Sequence, residues 1–317
     1  MGYRAMQIRT FEPGDEAAQV SIYNEAAADL PKFKPATLDE VRRRCRGADF
    51  DPATRFFALS GGRPMAYATF HANGRLSYPW CRKGHEGLAE MLLARVLEAM
   101  KQRGLTRAFA AYRTDWAPQH DFFLRHGFQQ TREMVNYVMD LAEMPTPAAR
   151  ATSIIAPLTP ADLPDVLKLA PDVLRLRTEA EMEQYLFHNP YFPPDAAFVL
   201  RGRSGGPPVA LGLVVANREY AHPRHGDAAM PCFRLGAFGT EGLQVKRING
   251  LFSFLAANTR DATMFALDLM AHAAFRLQDT EVETFAAQVA SDAPHLLRFY
   301  KQYFRRQGSF PVYERAL

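Results

Sequence analysis

Two short runs place basic residues and glycine just ahead of apolar sequence at helical spacing. They are Arg82-Lys83-Gly84-His85-Glu86-Gly87-Leu88-Ala89 and Arg247-Ile248-Asn249-Gly250-Leu251-Phe252. A helix N-terminus offers unpaired backbone N–H groups and a positive dipole end, which suits a pyrophosphate. Glycine lets that backbone approach the phosphates closely, and a neighbouring Arg or Lys adds a charge-assisted donor. A simple glycine-containing turn before an amphipathic helix has the same composition, so the surrounding elements must decide between the readings.

Those elements repeat. Ala110-Ala111 and Ala286-Ala287 each lead through Asp115 or Asp292 into Ala-Pro (117–118 and 293–294) and then an aromatic pair, Phe122-Phe123 or Phe299-Tyr300. The offset is 176 residues at the alanines and 177 at the aromatics. Repetition at domain length implies two copies of one domain. A chain of 317 residues suits two cores. The small, Pro-bearing stretch 144–150 has no apolar period and reads as a linker. The expected domains are therefore 1–143 and 151–317.

In the first half, Gln7–Phe11 reads as a strand and Gly14-Asp15 as a helix start. Thr37 with Glu40 forms a capping box. Arg55–Leu59 and Met65–Phe70 form a hairpin, and the Asn73-Gly74 turn introduces a third antiparallel strand, Arg75–Trp80. Helix Leu88–Met100, strand Ala108–Tyr112, helix Ala117–His126 and strand Val135–Leu141 follow. In the second half, Thr159 caps a helix with Pro160 in its first turn. Glu179–Phe187 reads as a helix, and Ala197–Arg201 with Val209–Ala216 as a hairpin. Phe233–Phe238 reads as a strand and Arg247–Ala257 as a helix. Asp261–Leu277 is a further helix, before Phe285–Val289, Pro294–Phe304 and Phe310–Arg315.

This order of elements and these turns resemble the GCN5-related N-acetyltransferase superfamily, in a tandem arrangement like that of mycothiol-synthase-type enzymes. The family pattern is Gln/Arg, two residues, Gly, one residue, Gly/Ala. Arg247 and Gly250 fit it, while Phe252 replaces the final small residue. Gly87 and Ala89 fit in the first half, with Gly84 at the Gln/Arg place and Arg82 and Lys83 just upstream. The resemblance implies two α+β domains, each a mixed, mostly antiparallel sheet flanked by helices.

It also implies that acetyl-CoA lies where two parallel strands splay apart, Arg75–Trp80 from Ala108–Tyr112 and Phe233–Phe238 from Phe285–Val289. The resemblance implies that Arg82, Lys83, Gly84, Gly87 and Ala89, and Phe238, Arg247, Asn249, Gly250, Leu251 and Phe252, hold the cofactor. An amine attacks the thioester directly, a base takes the amine proton, and a tyrosine protonates the leaving thiolate. Tyr300 is the expected acid and Glu241, in Gly239-Thr240-Glu241-Gly242, the expected base. The matching residue in the first half is Phe123, which cannot donate a proton, so the C-terminal half is expected to be catalytic. Plainer roles stay open: Tyr300 as a helix residue with a surface hydroxyl, Glu241 as a solvated loop carboxylate.

Net charge is +4 and no dense Lys/Arg stripe occurs, so nucleic acid is not an expected partner. No segment approaches the ~18 apolar residues of a membrane span. The N-terminus lacks an apolar signal core, and Cys45, Cys81 and Cys232 show no metal or disulfide spacing, so a cytoplasmic protein without metal is expected. His222 and His225 have no carboxylate or Cys partner at metal spacing. The expected acceptor is a small-molecule or peptide amine. Two other readings stand: an inactive acyl-CoA-binding or structural module, and an aminoacyl transferase drawing on charged tRNA.

Overall fold

The computed structural model describes residues 6–46, 50–145, 153–169, 178–188, 192–202, 205–216, 250–257, 259–280 and 282–317. Their contacts form two compact units: residues 1–133 with 310–317, and residues 134–309.

Unit 1 begins with strand β1 (Met6–Thr10) and helices α1 (Asp15–Ala27) and α2 (Leu38–Arg44). Thr37 and Glu40 form the expected reciprocal cap of α2, with N–H···O distances of 3.0 and 3.3 Å. Strands β2 (Arg55–Ser60), β3 (Arg63–Thr69) and β4 (Trp80–Cys81) complete an antiparallel sheet in the order β1-β2-β3-β4. Helix α3 (Leu88–Gln102) buries Leu88, Leu92, Leu93, Val96 and Met100 against one face of it. That spacing is the apolar stripe read from the sequence. The other face packs Phe11, Ile22, Phe57, Tyr67, Trp80 and Trp116 with α1. Strand β5 (Arg107–Ala111) is followed by helix α4 (Ala117–Arg125).

Unit 2 carries β7 (Ile154–Pro157), α5 (Leu163–Leu169), α6 (Glu179–Leu186), β8 (Ala197–Gly202) and β9 (Gly205–Val215). Thr159 and Asp162 cap the turn before α5, and Arg201 closes an ion pair on Asp162. Next come β10 (Leu251–Ala256), α7 (Ala262–Leu277), β11 (Thr284–Ala290) and α8 (Pro294–Tyr303).

The long strands β6 (Gln129–Asp140) and β12 (Arg305–Ala316) set the limits of both units. Residues 134–140 of β6 pair antiparallel with β11 inside unit 2. Residues 312–316 of β12 pair antiparallel with β5 inside unit 1. Each unit is thus completed by the last strand of the other sequence half, which a cut at 144–150 does not capture.

One element differs in type from the sequence reading. Residues 251–256 form a strand, not a helix, paired antiparallel with β9 from Leu251↔Val215 to Ala256↔Ala210. Phe252 and Phe254 face the α7 side, and Leu251 and Leu255 face the α5 side. This period-2 alternation was overridden in the sequence by a helical reading of a mostly apolar run.

Candidate active site

In unit 2, β10 runs parallel to β11 and pairs with it at one position, Leu251↔Ala286. The Ala286 N–H donates to the Gly250 oxygen at 3.0 Å. Beyond that point β10 stays paired to β9, while no further register joins it to β11. The strands part there, leaving backbone groups of β10 facing the gap. Helix α8 delivers Tyr300 to this edge, where its hydroxyl donates to the Phe252 carbonyl oxygen at 3.4 Å. The ring is held by Tyr137, Phe254 and Phe304, with centroids 5.9, 5.5 and 4.9 Å away. Tyr300 is buried, and desolvation pushes its hydroxyl pKa far above the ordinary tyrosine range. It is therefore a neutral O–H donor, not a surface hydroxyl.

Unit 1 repeats the geometry. The Phe109 N–H donates to the Gly74 oxygen and the Leu76 N–H to the Phe109 oxygen, both at 2.9 Å. Arg75 and Phe109 form a parallel bridge, after which the chain bulges through Ser77–Pro79 and leaves β5. Gly74 and Gly250 are counterparts at an offset of 176 residues. Both have positive φ, +89° and +97°. At either, a Cβ would run into a backbone carbonyl oxygen, that of Arg107 or of Thr284. Glycine is required there by conformation and by space.

This equivalence bears on the described end of the second basic run. In sequence Asn249-Gly250 repeats Asn73-Gly74; Gly250 directly precedes β10, and Leu251 and Phe252 lie within that strand, buried. They do not form a turn at a helix N-terminus. The connection that matches Arg82–Gly87 by position is 257–261, Ala-Asn-Thr-Arg-Asp, which contains no glycine. It precedes α7, and its exposed Arg260 has no partner among the described residues. Arg260 was not singled out in the sequence, although the repeated Asn-Gly pair carries the register that leads to it. Phe238, Glu241, Arg247 and Asn249, with His222 and His225, lie outside the described residues. So does Phe233–Phe238; among the described residues the parallel neighbour of β11 is β10.

In unit 1, Gly84 and Gly87 have open space where a Cβ would stand, in the turn that leads into α3 at Ala89. The turn's charges are already engaged. Arg82 pairs with Glu25 at 2.5 Å, Lys83 with Asp29 at 3.0 Å, and the Lys83 N–H donates to Glu25. The Glu86 carboxylate accepts the Gly84 N–H at 3.0 Å. That bond and its own backbone N–H hold the Glu86 carboxyl below the usual range. The gap is also filled. Tyr112 turns its hydroxyl onto the Tyr78 N–H, within a cluster of Tyr78, Trp80, Trp116 and Phe123. The residue at the matching offset of 176 in unit 2 is Gln288, which donates to Asn136 at 2.8 Å. Tyr112 and Gln288 were not singled out in the sequence, because nothing local marks a strand-end side chain as a plug. Among the described residues no His/Cys/Asp/Glu group is arranged to hold a metal.

Comparison with known proteins places this geometry. No family model matches the chain. A mycothiol acetyltransferase of Acidothermus cellulolyticus is 33% identical over 108 residues, which is 32% of this chain and 33% of that protein. The match therefore spans about a third of the relative's length. The crystal structure of a GCN5-related N-acetyltransferase from Sphaerobacter thermophilus aligns with a TM-score of 0.64 at 16% identity, covering 98% of this chain and 95% of that one. A tandem GNAT protein from the clavulanic acid biosynthesis pathway aligns with a TM-score of 0.55 at 14% identity, covering 98% of each chain. At these identities the structural likenesses establish the fold. This chain therefore has the fold of the tandem GCN5-related N-acetyltransferases, and about a third of it is similar in sequence to a mycothiol acetyltransferase.

Proposed function

We propose that this protein transfers an acyl group, acetyl in the first instance, from acyl-CoA to the primary amine of a small molecule or peptide, and that unit 2 carries the chemistry. The observation that carries this reading is the Tyr300 hydroxyl on the edge of β10 where that strand leaves β11. The corresponding residue of unit 1 is Phe123, and the gap there is filled by Tyr112.

The acyl-CoA is a substrate whose pantetheine lies along the free edge of β10, with the thioester near Tyr300. Its phosphates are received at the N-terminus of α7, where the first-turn N–H groups are unpaired by any side-chain cap and Arg260 supplies positive charge. The neutral amine attacks the thioester carbonyl carbon, forming the C–N bond. The C–S bond breaks as the intermediate collapses. Glu241 takes the amine proton, and Tyr300 gives its proton to the departing sulfur. Burial keeps the phenol protonated, so the proton is in place on Tyr300 at working pH.

The test is amine-dependent release of free CoA thiol from acetyl-CoA, with a panel of primary amines, for the wild type and Tyr300→Phe. Thiol release that depends on the amine and falls in the variant supports the proposal. A second reading, an acyl-CoA-binding module without chemistry, is favoured by the glycine-free 257–261 connection. It predicts acetyl-CoA binding with no thiol release by any amine.

A further inference from the structure

Most partly buried arginines among the described residues are neutralised. Arg9 meets Asp15 at 2.6 Å, Arg132 meets Glu314 at 2.5 Å, and Arg201 meets Asp162. Arg55 and Arg75 of unit 1 depart from this pattern. Each is partly buried, yet neither side chain has an ion pair or hydrogen bond among the described residues. The Arg55 Nε is a fully buried donor with no partner.

The sheet register brings these two side chains to one face. Arg55 lies opposite Thr69, and Phe57 opposite Tyr67, across β2 and β3. Leu76 pairs with Phe70 on the α3 side, so alternation sends Arg75 to the side of Thr69 and His71. That side faces α1 and α2 and is aromatic. The Arg55 guanidinium sits 4.9 Å from the Phe50 ring centroid. Arg75 lies near the Tyr112 hydroxyl, and Arg55 near Tyr67. The hydroxyls of Tyr67 and Tyr23 have no partner among the described residues. Arg44 stands exposed at the rim, close enough to act on both tyrosines. The carboxylates bordering this region are committed elsewhere: Glu40 to the cap of α2, and Glu16 to the Gly14 N–H.

We infer that the α1–α2 face of unit 1 holds a site for a small oxyanion, a carboxylate or phosphate borne on an apolar or aromatic body, with Arg55 and Arg75 as its charged partners and Tyr67 and Tyr23 as hydroxyl donors. Burying a guanidinium without an anion is unfavourable, whereas a planar fork of N–H donors matches a carboxylate or phosphate in geometry. The surroundings show the same imbalance. Burial and the nearby arginines push His71 down to about 4, so it adds no charge, and burial lowers Arg75 to about 10. A bound anion would oppose both shifts. The site draws on none of the unit 2 residues proposed for catalysis.

The experiment is calorimetric titration of the full-length protein with benzoate, inorganic phosphate and phenyl phosphate, with benzylamine as a cationic control. Saturable binding of benzoate or phenyl phosphate is expected, weakened roughly tenfold or more by Arg75→Gln, the loss of one charge-assisted pair. Tyr300→Phe is expected to leave it unchanged. Arg75→Lys keeps the charge and removes the fork, so partial weakening is expected from it even if Arg75→Gln folds poorly. Benzoate binding without phosphate binding assigns a carboxylate ligand, and the converse a phosphate. No saturable binding by any of the three anions, equal binding of benzylamine, or anion binding that both Arg75 variants leave intact would overturn the inference.

Discussion

The Tyr300 hydroxyl donates to the carbonyl oxygen of Phe252 across 3.4 Å, joining helix α8 to the strand edge that has just parted from β11. A side chain from the helix after the second parallel strand thus reaches the gap between the two strands. Its counterpart in unit 1, Phe123, is equally buried but ends in carbon. At this position the two copies share a buried aromatic ring and differ by the hydroxyl that can supply a proton.

Tyr300→Phe should therefore lower kcat by about a hundredfold, the low end of what a positioned acid contributes. KM for acetyl-CoA should change little, because the hydroxyl acts on the leaving group. Loss of the hydrogen bond should cost only about 1 kcal/mol of stability, so the variant remains folded. Steady-state kinetics with the best amine of the panel decides. An unchanged kcat would remove Tyr300 from the mechanism.

Gly250→Ala should destabilise the protein by about 1–3 kcal/mol, since it forces a positive φ on an L-residue and presses a Cβ into the Thr284 carbonyl. Gly74→Ala should behave alike, against Arg107. Gly206→Ala is the control, with φ +91° but open space around its Cβ position, and should cost less. Urea midpoints give the ranking. In the folded fraction of Gly250→Ala, acetyl-CoA affinity should be retained. A variant that is fully stable but no longer binds the cofactor would return Gly250 to a phosphate-binding role.

Burial raises the hydroxyl pKa of both Tyr67 and Tyr300. The folded state then keeps protons that the unfolded chain releases above about pH 10. The stability held below that pH is progressively lost as pH rises toward the folded values. Urea midpoints measured from pH 8 to 11 should fall on the alkaline side, and fall less steeply in Tyr67→Phe and Tyr300→Phe. Parallel curves for all three proteins would contradict this.

Much of this arrangement is written locally in the sequence. The Thr37–Glu40 box, the Gly61-Gly62 hairpin and the leucine spacing of α3 each involve residues within a few positions of one another, and all appear where the pattern places them. The 176-residue repeat likewise gives two copies of strand, Ala-Pro and aromatic helix. Two features were not local. The exchange of terminal strands depends on whether 134–140 pairs with β5 or β11, and both offer a suitable edge. The type of segment 251–256 depends on burial from both faces, which makes it apolar throughout and hides its alternation. Only the Asn73-Gly74 and Asn249-Gly250 correspondence fixes it as a strand. That same correspondence supports the proposal of Arg260 for the phosphates; Arg247 lies outside the described residues.

The central claim, that unit 2 receives the acyl donor between β10 and β11 with its phosphates at α7, is tested most directly by calorimetric titration with acetyl-CoA. The titration compares the full chain with Arg260→Ala and Arg82→Ala. The account predicts one acetyl-CoA per chain, bound about tenfold more weakly by Arg260→Ala and unchanged by Arg82→Ala, whose charge is already held by Glu25. Weakening by Arg82→Ala alone, or two equivalent sites per chain, would contradict it and place a cofactor in unit 1.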